Sequence, residues 1–171
     1  MEPFRFKQFE VYDHHSTMKV GTDGTTLGAY SSRRDFRHAL DIGTGCGLIA
    51  LMLAQKSTGK VLAIDIDEPS VKQAASNFSA SSWSSRLTAR CVSVQELSLE
   101  VGNIFDRIVS NPPFFNNSLK SPDARRTNAR HNTTLSHQEL AAAVNQLLTP
   151  DGIFDVILPI EVSTAFESIM Y

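Results

Sequence analysis

Cysteine is scarce in this chain: Cys46 and Cys91 are the only two among 171 residues. They form no C-x-x-C pair and stand in no histidine-rich spacing, which excludes a disulfide framework and offers no metal site. Long apolar runs are missing as well. No stretch approaches the roughly 20 residues that cross a bilayer. Met1-Glu-Pro-Phe-Arg-Phe-Lys7 lacks the apolar stretch of a secretory signal, so a cytoplasmic protein without membrane or metal is expected. Nor does charge of one sign dominate. Sixteen Lys and Arg face 18 Asp and Glu, a net charge of −2, and whole-molecule electrostatics announce no nucleic-acid binder.

Charge distribution says more than the total. Residues 116–131 carry Lys120, Arg125, Arg126 and Arg130 against Asp123 alone, whereas residues 132–171 carry five acids and no Lys or Arg. A local basic segment on a near-neutral body can meet phosphates or simply be a solvated loop. With 42% hydrophobic residues, the length suits one domain with a real core. There is no internal repeat and no low-complexity tract.

Apolar patterning organises the chain. Residues 4–12 predict a short strand or hairpin, and 23–32 a helix capped by Asp23. Residues 1–38 thus lead into a regular alternation that occupies 39–171. Strands are predicted at 39–42, 61–64, 87–92, 105–110 and 153–158. Helices are predicted at 48–55, 68–79 and 136–148, with a last one after Pro159. Strands alternating with helices indicate an α/β fold with three αβα layers, Rossmann-like, on a mostly parallel sheet. Such sheets bind ligands beyond the carboxyl ends of their strands.

Two motifs fall at those ends. Asp41-Ile-Gly-Thr-Gly-Cys-Gly47 joins the first of these strands to a helix, where glycines allow a tight turn and close approach of backbone N–H groups. Its third glycine comes one residue too early for G-x-G-x-x-G, and no Lys-Ser/Thr pair marks a P-loop. Asp41 would repel a pyrophosphate but attract an amino-acid ammonium, and Asp65 ends the next strand where an acid can hold ribose hydroxyls. Together they point to S-adenosylmethionine and disfavour a nicotinamide dehydrogenase. The second motif, Asn111-Pro112-Pro113-Phe114, follows the fourth strand of the alternation. The prolines fix the backbone, Asn111 supplies an acceptor and Phe114 a stacking face. That set suits a planar group bearing NH₂ on an sp² carbon, held for methyl transfer by positioning rather than by a strong base. Adenine N6, guanine N2 and a glutamine amide all remain open on the motif alone, as does a non-catalytic cofactor-binding module.

These motifs resemble the class I S-adenosylmethionine-dependent methyltransferases that act on amino nitrogens. Phe4-Arg-Phe-Lys-Gln-Phe9, Met18-Lys-Val-Gly-Thr-Asp-Gly24 and Ala129-Arg130 through Thr133-Thr-Leu-Ser-His137 are similar to the bacterial tRNA1(Val) adenine-N6 methyltransferase family. The resemblance covers almost the whole chain. It implies methylation of adenine 37 beside the anticodon of a valine tRNA, with 39–171 as the methyltransferase domain. It implies a cofactor site of Thr22, Asp41, Gly43, Thr44, Gly45, Gly47, Asp65, Ile66, Ser93, Val94 and Asn111. Catalytic roles go to Asn111, Pro112, Pro113 and Phe114, and RNA contacts to Lys19, Arg125, Arg126 and Arg130. Ser93-Val94 stands where relatives have an acid and an apolar residue, so a charge-assisted bond to the cofactor's adenine is lost. His14, His15, His131 and His137 read as local hydrogen-bonding residues, and a monomer is the expected state. The family's last two strands, completing a seven-stranded sheet, would lie beyond Tyr171.

Overall fold

A computed structural model describes residues 2–112 and 135–170. Its elements run β1 (Phe4–Arg5), β2 (Glu10–Val11), α1 (Thr22–Ser31), β3 (His38–Ile42), α2 (Leu48–Lys56), β4 (Lys60–Asp65) and α3 (Glu68–Ser79). A 3₁₀ turn at Ser84–Arg86 precedes β5 (Leu87–Cys91), α4 (Val94–Glu100), β6 (Phe105–Ser110), α5 (His137–Leu147), β7 (Leu148–Val156) and α6 (Ile160–Met170). The first two strands form an antiparallel hairpin, Phe4 opposite Val11. The other five make one parallel sheet in the order β5-β4-β3-β6-β7.

Strand alternation divides the core into two layers. On one face Ala39, Val61, Ala63 and Val109 pack with Leu27 of α1, Leu51 and Leu53 of α2, and Ala74 and Phe78 of α3. On the other, Leu40, Ile42, Ile64 and Ile108 pack with Leu97 of α4, Leu140, Val144 and Leu147 of α5, and Phe166 of α6. Helices therefore cover both faces, the three-layer arrangement the patterning predicts. Helix α2 is buried from Leu48 to Leu51 and again at Leu53 and Ala54, matching its nearly all-apolar sequence. Arg86 closes its carboxyl end: the guanidinium donates to Ala54 O within the helix at 2.9 Å and to Ser57 O at 2.6 Å and Gly59 O at 3.1 Å just past it. A cation there complements the helix dipole. Arg107 of β6 and Asp155 of β7 form an ion pair of 2.7 Å in the interior.

Several predicted boundaries move. Asp23 does not cap α1; the helix starts one residue earlier and Gly21 is its N-cap, because the chain enters extended and the carboxylate of Asp23 lies inside the first turn. Helix α4 was missing from the apolar pattern, being only two turns long. It is opened by a capping box in which Ser93 and Glu96 satisfy each other's backbone N–H groups. Ser136 and Glu139 open α5 in the same way. The last strand begins at Leu148 rather than 153. Leu148 pairs with Phe105 and Ile153 with Arg107, so Thr149–Gly152 bulge out of the ladder instead of ending it.

Candidate active site

The strand order reverses beside β3: β4 and β5 continue to one side, β6 and β7 to the other. Neighbouring connections diverge at such a point and leave a crevice above the carboxyl ends. The glycine loop leaves β3 there, and Asn111 leaves β6 there. A cleft of about 290 Å³ opens between them. Six sequence-predicted residues line it: Lys19, Thr22, Gly43, Thr44, Gly45 and Asn111. Met18, Gly21, Asp23, Gly24, Cys46, Leu48 and Ile49 complete the wall.

The loop is a rigid object. Gly43 N and Thr44 N both donate to Ile64 O, at 2.9 and 3.0 Å. Gly43, Gly45 and Gly47 have φ of +73°, +55° and +85°, a region L side chains rarely adopt. Gly43 and Gly47 use that freedom differently. A Cβ on Gly43 would meet nothing within 4 Å, so the backbone there faces open space, whereas one on Gly47 would stand 2.5 Å from Phe78 Cε1. Gly43 thus serves approach from the cleft, and Gly47 serves helix packing.

Asp41 lies beneath the loop rather than on its surface, with no solvent exposure. One carboxylate oxygen accepts from Thr44 Oγ1 at 2.7 Å. The other, Oδ1, is buried without a hydrogen-bond partner among the described residues. Burial pushes its pKa up to about 7; the Thr44 hydrogen bond and the nearby Ala50 backbone N–H oppose that shift, and the Asp65 charge adds to it. Asp65 is oriented by backbone at both oxygens: Oδ2 accepts from Gly45 N at 2.9 Å and Oδ1 from Asp67 N at 3.0 Å. A carboxylate offers about four lone-pair sites, so two remain for ligand hydroxyls. Helix α3 is capped by Asp67, which accepts from Ser70 N. Burial pushes the Cys46 thiol up to about 11, which leaves it unreactive as a nucleophile.

Asn111 stands across the cleft, half-buried, and its Oδ1 is a second buried acceptor with no partner among the described residues. A Cβ on Gly24 would come within 3.9 Å of Asn111 Nδ2, so the first turn of α1 forms the wall beside it. Other expected residues stand away from the cleft lining. Ile66 is exposed beyond β4, and Pro112 is half-buried next to Asn111. Ser93 caps α4, donating to Glu96 Oε2 at 2.7 Å. Val94 is 3% exposed and belongs to the core, so its side chain is already covered by protein. Pro113, Phe114, Arg125, Arg126, Arg130 and His131 lie outside the described residues.

Residues 12–20 arch over the glycine loop, a feature the sequence reading did not foresee. Buried Asn77 of α3 ties the arch down: its Oδ1 accepts from Tyr12 N at 3.0 Å, and its Nδ2 donates to Tyr12 O and Cys46 O, both at 2.8 Å. Thr17 N donates to Ser70 Oγ at 3.2 Å and Val20 N to Asp13 Oδ2 at 2.9 Å. Asp23 was also missed as a cleft carboxylate, although it adjoins Thr22 in sequence. Among the described residues no group of three or more His, Cys, Asp or Glu could hold a metal ion. No described helix is long and apolar enough to cross a membrane.

The class of protein follows from the family comparison: the methyltransferase small domain matches residues 24–158, which contain the parallel sheet and the glycine loop. Solved structures with the same fold include precorrin-6y C5,15-methyltransferase of Geobacter metallireducens, with a TM-score of 0.63 at 12% identity over 94% of this chain and 73% of that one. The S-adenosylmethionine-dependent O-methyltransferase of Thermotoga maritima gives 0.58 at 18% identity over 86% of this chain and 46% of that one. At these identities they speak for the fold alone. The tRNA1(Val) (adenine(37)-N6)-methyltransferase of Bacteroides fragilis is 46% identical over 167 residues, covering 97% of this chain and 70% of the relative. That of Shewanella sediminis is 40% identical over 171 residues, covering 98% of this chain and 70% of the relative. The chain belongs to the tRNA1(Val) (adenine(37)-N6)-methyltransferase family.

Proposed function

We propose that the protein transfers a methyl group from S-adenosylmethionine to the exocyclic N6 of adenine 37 in tRNA1(Val), with residues 39–171 as the methyltransferase domain and 1–38 leading into it. The observation that carries the chemistry is Asn111 Oδ1, a buried acceptor without a described partner on a cleft it shares with the glycine loop. Buried polar atoms are ordinarily satisfied, so an unpaired acceptor at a cleft suits a donor that arrives with the ligand. The exocyclic nitrogen of adenine is such a donor.

That nitrogen is a poor nucleophile because its lone pair is delocalised into the ring. Asn111 Oδ1 and the Pro112 carbonyl would take its two hydrogens and turn the lone pair out of the ring plane. Pro113 and Phe114, the rest of the motif, would fix the turn and stack on the base. S-Adenosylmethionine, when bound, supplies an electrophilic methyl group on its sulfonium. Asp41 below the loop and Asp23 on the wall offer negative charge to an amino-acid ammonium, while Asp65 retains lone pairs for ribose hydroxyls. Gly43 presents open backbone to the same ligand. Thr22, Thr44 and Gly45 would complete the cofactor's surroundings, with Ile66 and Ser93 toward its adenine and Lys19 on the RNA side. Positioning and electrostatics then account for the rate, and the surplus proton leaves to solvent after transfer. Extruding the target base costs less in an already open anticodon loop. Membership of a family of tRNA-modifying enzymes is consistent with a soluble protein acting in the cytoplasm.

The test is direct. The chain is incubated with labelled S-adenosylmethionine and unmodified tRNA, and the digested nucleosides are identified by mass spectrometry. N6-methyladenosine mapped to position 37, and absent with Asn111→Ala, is the expected result. Label on another amino nitrogen would reject the substrate assignment.

A further inference from the structure

The arch over the glycine loop combines a tightly held backbone with uncovered rings. Asn77 takes both the N–H and the carbonyl of Tyr12, Ser70 takes Thr17 N, and Asp13 takes Val20 N. These anchors come from α3 and from the arch itself, and Ser70 and Asn77 are buried. Yet Tyr12, His14 and His15 are exposed. The two histidine rings lie 4.2 Å apart, and Tyr12 meets His14 edge-on at 5.9 Å. Contrary to the reading of these histidines as local hydrogen-bonding residues, neither makes a side-chain hydrogen bond among the described residues. The arch continues directly into Met18 and Lys19, which line the same cleft as Asn111. A pinned backbone lowers the entropy lost when exposed rings take up a partner.

From this we infer that His14 and His15, with Tyr12 at their edge, form a stacking platform for an unpaired nucleotide adjacent to the one held at Asn111. The inference rests on the tRNA-methylating reading above. Aromatic faces beside a cation are what unpaired nucleic acid selects: bases stack on rings without regard to sequence, and a lysine meets the neighbouring phosphate. Lys19 stands at that edge and lines the cleft; its Nζ donates to Asp13 O at 2.6 Å and lies 4.0 Å from Asp13 Oδ1 in an exposed ion pair that a phosphate can replace. Residues flanking a flipped base lose their own stacking partner, and the platform replaces it.

The test uses unmodified tRNA carrying 2-aminopurine at the nucleotide next to the target adenine, because stacking quenches that fluorophore. Wild type is compared with the pairs His14→Ala/His15→Ala and His14→Phe/His15→Phe, and S-adenosylmethionine affinity is measured in each by calorimetry. The expected result is quenching by wild type and the phenylalanine pair, and its loss with the alanine pair. The alanine pair should also raise KM for tRNA roughly tenfold with kcat and cofactor affinity unchanged. Three results would overturn the platform: quenching that survives both alanines, phenylalanines that fail to restore it, or cofactor affinity that falls in step with RNA affinity. Wild type that binds cofactor but neither binds nor methylates the tRNA would reject the underlying reading and the platform together. Normal methylation with unchanged quenching rejects the platform alone.

Discussion

The two ends of the parallel sheet treat their polar groups in opposite ways. At the amino-terminal end, Asp106 accepts from Arg37 N at 2.8 Å and His38 N at 3.0 Å, and Asp35 takes the Ser57 hydroxyl and Phe36 N. Hydrogen bonds from Ser57 and Phe36 hold the Asp35 carboxyl below its ordinary range. At the carboxyl end, Asp41 Oδ1 and Asn111 Oδ1 are buried with no described partner. The same backbone architecture therefore closes one edge and leaves hydrogen-bonding capacity unused at the other. An unsatisfied buried acceptor costs about 1–3 kcal/mol; Ser31 Oγ, Gln73 Oε1 and Arg107 Nε also lack a described partner, but Asp41 and Asn111 stand where a ligand can offset that cost.

Substitutions at the two ends should separate activity from stability. The largest effect is expected for Asn111→Ala: methyl transfer slower by orders of magnitude with cofactor affinity nearly intact, seen by single-turnover kinetics beside calorimetry. Next comes Asp65→Ala, which removes the acceptor for Gly45 N together with the one proposed for the ribose hydroxyls; S-adenosylmethionine affinity should fall roughly 100-fold, since charge-assisted bonds are the strong ones. Asp41 adds a pH signature. The folded protein keeps its proton up to about pH 7, while the unfolded chain loses it near the ordinary carboxylate value. Between those limits the native state binds more protons, so stability contributed by this group falls as pH rises and levels off above about 7. A cationic ligand group favours the ionised form, so cofactor affinity should rise through the same window with proton release. Asp41→Asn should flatten both profiles, and an unchanged profile would remove Asp41 from the ammonium role.

At the other end the sign of the effect changes. Asp106→Ala should lower stability by about 1.5–3 kcal/mol, because two backbone donors lose an ionised partner, while kcat per folded molecule stays put. Thermal melts read against activity would detect the split. Smallest of all, Ser93→Ala should cost about 1 kcal/mol through the lost α4 cap. A much larger loss of cofactor affinity than of stability would assign its hydroxyl to the ligand instead.

Legibility followed the range of the interactions. The alternation of strands and helices, the glycine loop and Asn111 are local signals, and each stands where the pattern predicts. Helix α4 escaped because seven residues show too little periodicity, although Ser93-x-x-Glu96 spelled its cap. Asp41 was legible as an acid before a turn but not as a group sealed under Thr44, since its burial depends on strands far away in sequence. Asp23 was misread as a cap for the same reason: its place in the cleft comes from α1 docking beside Asn111. The arch was invisible, because Asn77 and Tyr12 are 65 residues apart and no spacing rule links them.

Those separations also fix an order of events in time. The arch has nothing to fasten to until α3 exists, and the cleft has no opposite wall until β6 has joined β3 and delivered Asn111. Contacts that close loops of this size are the slow ones in folding. On a ribosome, the arch would stay unfastened until α3 has emerged, and the cleft would gain its second wall once β6 has paired with β3. Nascent chains halted before and after β6 should accordingly differ in cofactor retention.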